Sequence, residues 1–330
     1  MTQKPVALTL GEPAGIGGEI SLKAWETLRA ELPFFLIADA KHMQTLAKQT
    51  GVPIKVIAAP REAASAMEHA LPVLDHPLPA PVVSGAPNAQ NAMEVVAMIK
   101  RAVDLTQSGQ ACALTTNPIH KKALQDGAGF AFPGHTEYLA SLANVERPIM
   151  MLSAPELRVV PVTIHIAISK VPQILNAKLL EQTIRVTHKA MIADLGISSP
   201  RIAVAGLNPH AGEEGAMGGE EIDFITPTLN KLRAEGMNLA GPMSADTMFH
   251  AAAREHYDLA MCMYHDQALI PIKTLNFSAG VNTTLGLPFI RTSPDHGTAF
   301  DIVGQNIADP QSLIEALRTA NEMAKHRGTL

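Results

Sequence analysis

Short β-type apolar runs alternate along the chain with longer stretches in which apolar residues recur at helical spacing. The runs Val6–Leu10, Phe34–Ala38, Ile54–Ala58, Ala111–Leu114, Val159–Ile166, Ile202–Leu207 and Leu259–Met263 predict strands. Between them, Glu19–Glu31 sets Ile20, Ala24, Trp25 and Leu28 on one stripe, and Asn88–Leu105 does the same with Ala92, Val95, Val96, Ile99 and Val103. Lys178–Leu195 and Ile222–Glu235 carry a similar stripe, and a last helix is expected to start from Asp309 as N-cap with Pro310 in its first position. Strand and helix in regular alternation predict an α/β protein with a largely parallel sheet.

Length turns that pattern into two lobes, since 330 residues exceed a single core at roughly 100–200 residues per domain. Hydrophobic residues make up 47% of the chain and charged ones 17%, enough apolar surface for large buried sheets and too much for a disordered chain. The formal charge of -5, with no basic run, excludes an electrostatic footprint for nucleic acid or for an anionic membrane. A small-molecule partner is favoured. Cys112 and Cys262 lie inside apolar runs and read as small buried hydrophobes in a reducing compartment. The stretch Met1-Thr2-Gln3-Lys4-Pro5 leads straight into the first strand without the apolar core of a signal peptide, so a cytoplasmic location is expected.

Candidate chemistry collects at strand ends, where ligands of open α/β sheets bind. His165 lies near the end of Val159–Ile166, on the face opposite Val160, Val162 and Ile164. His210 follows Ile202–Leu207 in Asn208-Pro209-His210-Ala211-Gly212, and His265 follows Leu259–Met263 in Tyr264-His265-Asp266-Gln267. Any one of them alone reads better as a surface or hydrogen-bonded strand-end residue. As a trio they can make a catalytic metal site with an open fourth position, although their spacing matches no local metal motif.

The first strand opens into Gly11-Glu12-Pro13-Ala14-Gly15-Ile16-Gly17-Gly18, with Asp39 ending the second strand where a ribose-binding acid would stand. The dinucleotide fingerprint fails because Ile20 takes the third small position after Gly15 and Gly17, so a tight turn or a substrate-side loop is the better reading. Anion-holding groups occur elsewhere. Gly134-His135-Thr136 introduces a helix whose free N–H groups suit a phosphate or carboxylate, with an ordinary N-cap as the alternative. Lys273, Asn282 and Arg291 interrupt apolar sequence, a placement that a bound anion explains and that a snorkelling lysine explains for Lys273.

Taken together, Gly11–Gly17, Asn208-Pro209-His210-Ala211-Gly212-Glu213, Tyr264-His265-Asp266-Gln267 and Leu285-Gly286-Leu287-Pro288-Phe289-Ile290-Arg291-Thr292-Ser293 resemble the 4-hydroxythreonine-4-phosphate dehydrogenase family of pyridoxal phosphate biosynthesis, essentially end to end. The resemblance implies two α/β/α lobes of the isocitrate/isopropylmalate dehydrogenase type, with the active site in the interlobe cleft at the interface of a homodimer. The lobes are expected at 1–130 plus 275–330 and at 131–274. It implies a divalent ion on His165, His210 and His265, the third given by the other subunit, and substrate contacts from His135, Thr136, Lys273, Asn282 and Arg291. The segment His296-Gly297-Thr298-Ala299-Phe300-Asp301-Ile302 is similar to the cofactor loop of isopropylmalate dehydrogenases, which moves NAD (or NADP) there from the N-terminal glycine turn. Gly18 where the family usually has Pro, Ile164 where it commonly has Thr, and Glu214 where it favours Gly are departures.

The activity so implied is NAD-dependent oxidation of 4-phosphohydroxy-L-threonine, followed by decarboxylation to 3-amino-2-oxopropyl phosphate. Zinc suits an all-imidazole set better than magnesium, with cobalt also acceptable. Asp246, Asp266 and Lys273 are the candidate catalytic side chains, either aspartate serving as base or orienting a histidine. Oxidation of threonate or erythronate 4-phosphate is the nearest alternative, a three-histidine metal hydrolase a distant one, and a non-catalytic binder more distant still.

Overall fold

The computed structural model describes residues 3–330; Met1 and Thr2, the start of the segment read above as leaderless, lie outside the described residues. Twelve strands follow one another: β1 (Val6–Thr9), β2 (Phe34–Ala38), β3 (Ile54–Ile57), β4 (Leu71–Asp75), β5 (Ala113–Thr116), β6 (Ile149–Ala154), β7 (Leu157–Pro161), β8 (Arg201–Ala205), β9 (Asn238–Met243), β10 (Leu259–Cys262), β11 (Val281–Leu285) and β12 (Arg291–Pro294). The chain divides into two compact units, one running to Pro148 and resuming over Leu287–Leu330, the other Ile149–Gly286.

In the first unit β3, β4, β2, β1, β5 and β12 lie side by side, all parallel. Every residue of β1 and β2 is buried, as expected of central parallel strands covered on both faces. Helices Ala92–Gln107 and Gln311–Arg327 pack on β1 and β5. The last helix starts one residue later than the sequence predicts: Pro310 is its N-cap, and Asp309 Oδ1 accepts from Gln311 N at 2.9 Å. Cys112 is buried here, and burial pushes its thiol up to about 12.

In the second unit β11 and β6 pair antiparallel, β6 turns back antiparallel to β7, and β7, β10, β8 and β9 continue in parallel. Pleating splits its core in two. Val160, Ile202, Val204 and Met261 face helices Ala177–Ala193 and Thr226–Ala234 through Leu180, Ile184, Leu229 and Leu232. Val159, Ala203, Ala260 and the fully buried Cys262 face helix His265–Leu275 through Ala268 and Ile272. The result is an α/β/α sandwich.

Unit boundaries differ from the sequence expectation on both sides. Residues 131–148 belong to the first unit because helix His135–Leu142 packs on helix Ala92–Gln107. Residues 275–286 belong to the second because β11 pairs along β6, Asn282 opposite Leu152. The strand bearing His165 is also shorter than predicted. β7 ends at Pro161; Val162 and Thr163 still donate to the carbonyls of Cys262 and Met263, but His165 lies beyond in a left-handed conformation (φ 53°). Its direction is therefore set by that bend and not by the pleat.

Candidate active site

Within the second unit, β7, β10 and β8 are parallel neighbours, so the loops leaving their carboxyl ends emerge side by side. These loops carry His165, His265 and His210. The His165 and His265 rings are neighbours, 5.7 Å between centroids, at the wall of a cavity of about 310 Å³ also lined by Thr163, Tyr264 and Asp266. Asp266 Oδ1 pairs with His265 Nδ1 at 2.7 Å, which fixes the ring and leaves Nε2 as its outward donor atom. The same contact would suit either role weighed for Asp266, orienting the ring or taking a proton.

His210 sits on an exposed loop in which it, Ala211, Glu213 and Glu214 all have positive φ, between 41° and 55°. Asp246 lies close enough to feel it. The Ser244 hydroxyl, and then the His210 charge, hold the Asp246 carboxyl below its usual range. Imidazole donors with carboxylates behind them suit a borderline divalent ion. Among the described residues of one chain, however, no group of three or more His, Cys, Asp or Glu draws together as a ligand set.

Two residues that sequence reasoning missed hold this loop pair. Glu221, 3% exposed, accepts from the backbone N–H of Leu207 and of Asn208 at 2.8 and 2.9 Å through Oε1 and from Asn208 Nδ2 at 2.9 Å through Oε2. Gln267 accepts from Met263 N at 2.7 Å and donates to Gly206 O at 2.9 Å, tying the His265 segment to the start of the His210 loop. The recurrence of Gly206, Gly212 and Gly218 was the available signal: a Cβ on Gly212 would lie 2.6 Å from Glu221 Oε2, and one on Gly218 2.3 Å from Asn208 Nδ2.

Also in this unit, Lys273 stands in the last turn of helix His265–Leu275 with its Nζ 5.6 Å from the Phe277 ring centroid. Asn282 Oδ1, on β11, is buried without a protein hydrogen bond.

The first unit gathers the remaining anion candidates. Arg291, at the start of β12, is 3% exposed and donates from Nη2 to Thr116 Oγ1 at 2.7 Å. Burial lowers its guanidinium to about 10, against which Glu137 acts. His135 opens its helix after Gly134, which offers no side-chain cap, so the N–H groups of the first turn remain for an incoming anion. Burial, then the charges of Arg291 and Lys121, hold the His135 imidazole well below its ordinary value, and its Nε2 is shut off from solvent without a partner. Thr136 follows in that same turn.

The two glycine-rich segments weighed for a cofactor turn out to touch. Ile16 N donates to Thr298 O at 3.1 Å, and a Cβ on Gly15 would lie 3.0 Å from that same oxygen. Phe300 meets the His120 ring edge-on at 5.2 Å, Ala299 has φ 45°, and Gln305 Nε2 donates to Asp301 O. His296 Nδ1 lies 3.0 Å from Gly297 O, with Nε2 buried and unpartnered. Asp39 is not available to a ribose. Its carboxylate accepts from His42 N at 2.7 Å and from Leu78 N at 2.8 Å, capping helix Ala40–Thr50.

No described helix is long and apolar enough to cross a membrane. A family model described as pyridoxal phosphate biosynthetic protein PdxA matches residues 30–320. A 4-hydroxythreonine-4-phosphate dehydrogenase of Ruegeria sp. is 54% identical over 99% of both chains. The crystal structure of the enzyme of that name from Klebsiella pneumoniae superposes with a TM-score of 0.89 at 38% identity, covering 98% of each chain. A terephthalate 1,2-cis-dihydrodiol dehydrogenase from Burkholderia xenovorans is more distant, with a TM-score of 0.68 at 29% identity over 97% of this chain and 98% of that one. By sequence along its whole length and by fold, this chain belongs to the PdxA family.

Proposed function

We propose that this protein is a 4-hydroxythreonine-4-phosphate dehydrogenase that oxidises 4-phosphohydroxy-L-threonine with NAD, the β-keto acid then losing carbon dioxide to give 3-amino-2-oxopropyl phosphate. The observation that carries the reading is the emergence of His165, His265 and His210 from three adjacent parallel strands, in a chain 54% identical to an enzyme of that name. His165, His210 and His265 would hold a divalent ion, zinc before cobalt or magnesium. Such an ion supplies Lewis acidity, polarising an oxygen bound to it and easing loss of that oxygen's proton. NAD supplies the hydride acceptor, with His296, Gly297, Thr298, Ala299 and Asp301 as its loop.

The chain's own residues do the rest. Asp266 holds the His265 ring in the tautomer that presents Nε2. Arg291, neutral His135 and the first-turn amides at Thr136 form an electropositive seat for phosphate or carboxylate, and Lys273 and Asn282 offer a second cation and an open acceptor. Holding the phosphate or carboxylate in this way orients the reacting carbon. Asp246 and Asp266 are the candidate bases. A homodimer is supported by the exposed Ile168, Ile270 and Phe277 on the unit that carries the histidines.

The test is a spectrophotometric assay of NADH formation from 4-phosphohydroxy-L-threonine, with and without a chelator. Chelator-sensitive turnover is expected, and full turnover in metal-free protein would remove the ion from the reaction. Threonate and erythronate 4-phosphates run in parallel would reveal the alternative specificity by faster turnover on either.

A further inference from the structure

Several left-handed residues that are not glycine in one loop need an external restraint, since each such residue is disfavoured by itself. The loop after β8 has His210, Ala211, Glu213 and Glu214 in that state. The restraint at its root centres on one buried carboxylate, that of Glu221. Glu221 enters from the π-helical turn Glu221–Ile225, places Oε1 on two consecutive backbone N–H groups at the root of the loop, and reaches Asn208 Nδ2 with Oε2. Glu220 Oε2 takes the same amide nitrogen at 2.8 Å, so Asn208 is gripped by both acids. Gly206, Gly212 and Gly218 are bare where this grip passes; a Cβ on Gly206 would stand 3.0 Å from Glu221 Oε1.

Resting on the metal reading above, we infer that Glu221, acting through Asn208, is the positioning residue of the metal site: it holds the His210 loop in the one backbone shape that presents this imidazole to the ion. Glu221 touches neither ion nor substrate in this role. Its two oxygens are fully engaged by loop amides, and it lies 3% exposed beneath them. Glu221→Gln keeps an oxygen for the two N–H groups but sets an amide NH2 against Asn208 Nδ2. Asn208→Ala removes the same link from the other side.

The measurement is cobalt(II) and zinc affinity of the dimeric protein without substrate or NAD, by chelator competition and by the cobalt absorption spectrum. Loss on the order of 10- to 100-fold in affinity, with a changed cobalt spectrum, is expected in both variants. The control Ile184→Val thins the core of the same unit away from the loop, and it should lower the melting temperature while leaving metal affinity unchanged. Parental affinity in both Glu221→Gln and Asn208→Ala overturns the positioning role while the metal reading stands. Equal loss in Ile184→Val also overturns it, since the effect would then follow stability alone. A parent protein that binds neither metal takes down both readings.

Discussion

The buried guanidinium of Arg291 donates through Nη2 to the hydroxyl of Thr116 at 2.7 Å, one strand end steadying the cation of the next. Thr116 is fully buried, so Thr116→Val keeps the shape and deletes the acceptor. A hydrogen bond to a charged group is worth about 1.5–3 kcal/mol. The expected result is a KM for the phosphorylated substrate raised on the order of tenfold with kcat little altered. An unchanged KM would show that Arg291 is aimed without Thr116.

Gly15 lies against the carbonyl of Thr298. Gly15→Ala would drive a methyl to 3.0 Å from that oxygen and 3.2 Å from Thr298 Cβ, and displace the His296–Ile302 loop. Misplacement of a binding loop by a fraction of an ångström should raise the KM for NAD on the order of tenfold and leave the KM for phosphorylated substrate nearly as it was. Equal effects on both would detach this loop from the cofactor.

Asp39 distinguishes a capping aspartate from a ribose ligand. Asp39→Ala frees two backbone N–H groups at once, and the expected cost is about 2–4 kcal/mol of stability, read as a lower denaturation midpoint. The KM for NAD should not move. A raised KM with parental stability would restore the reading this structure rejects.

His135 makes a pH prediction. Its folded-state value is depressed, so in the acid range the unfolded chain binds a proton that the folded protein refuses. The stability linked to it is complete above about pH 6.5 and drains away as pH falls below that value, by at most about 1.4 kcal/mol per pH unit for one proton. His135→Asn should flatten the dependence of unfolding free energy on pH between about 6.5 and 5 relative to the parent. Parallel slopes in the two proteins would mean that His135 titrates normally.

The parallel core was legible because buried central strands such as Phe34–Ala38 and Leu259–Cys262 are continuous apolar runs. β11 (Val-Asn-Thr-Thr-Leu) and β12 (Arg-Thr-Ser-Pro) escaped that signal because they bury polar side chains, Thr292 on β12 pairing its hydroxyl with that of Thr115 on β5 at 2.9 Å. Strand-end reasoning picked out the three histidines, and β7, β10 and β8 do end side by side. Which way His165 faces was not legible, because a left-handed bend in a non-glycine residue leaves no mark in hydropathy. Glu221 and Gln267 stayed hidden for a related reason. Apart from the Asn208 side chain, their partners are backbone amides and carbonyls, which nearly every residue possesses and no sequence pattern distinguishes.

Each unit happens to bury one thiol, Cys112 in the first and Cys262 in the second, and neither is a thiolate while its unit stays closed. A reagent such as iodoacetamide therefore reacts only through opening, and each labelling rate reads the opening of the structure around its own thiol. An ion that binds the histidines of the second unit would slow labelling of Cys262.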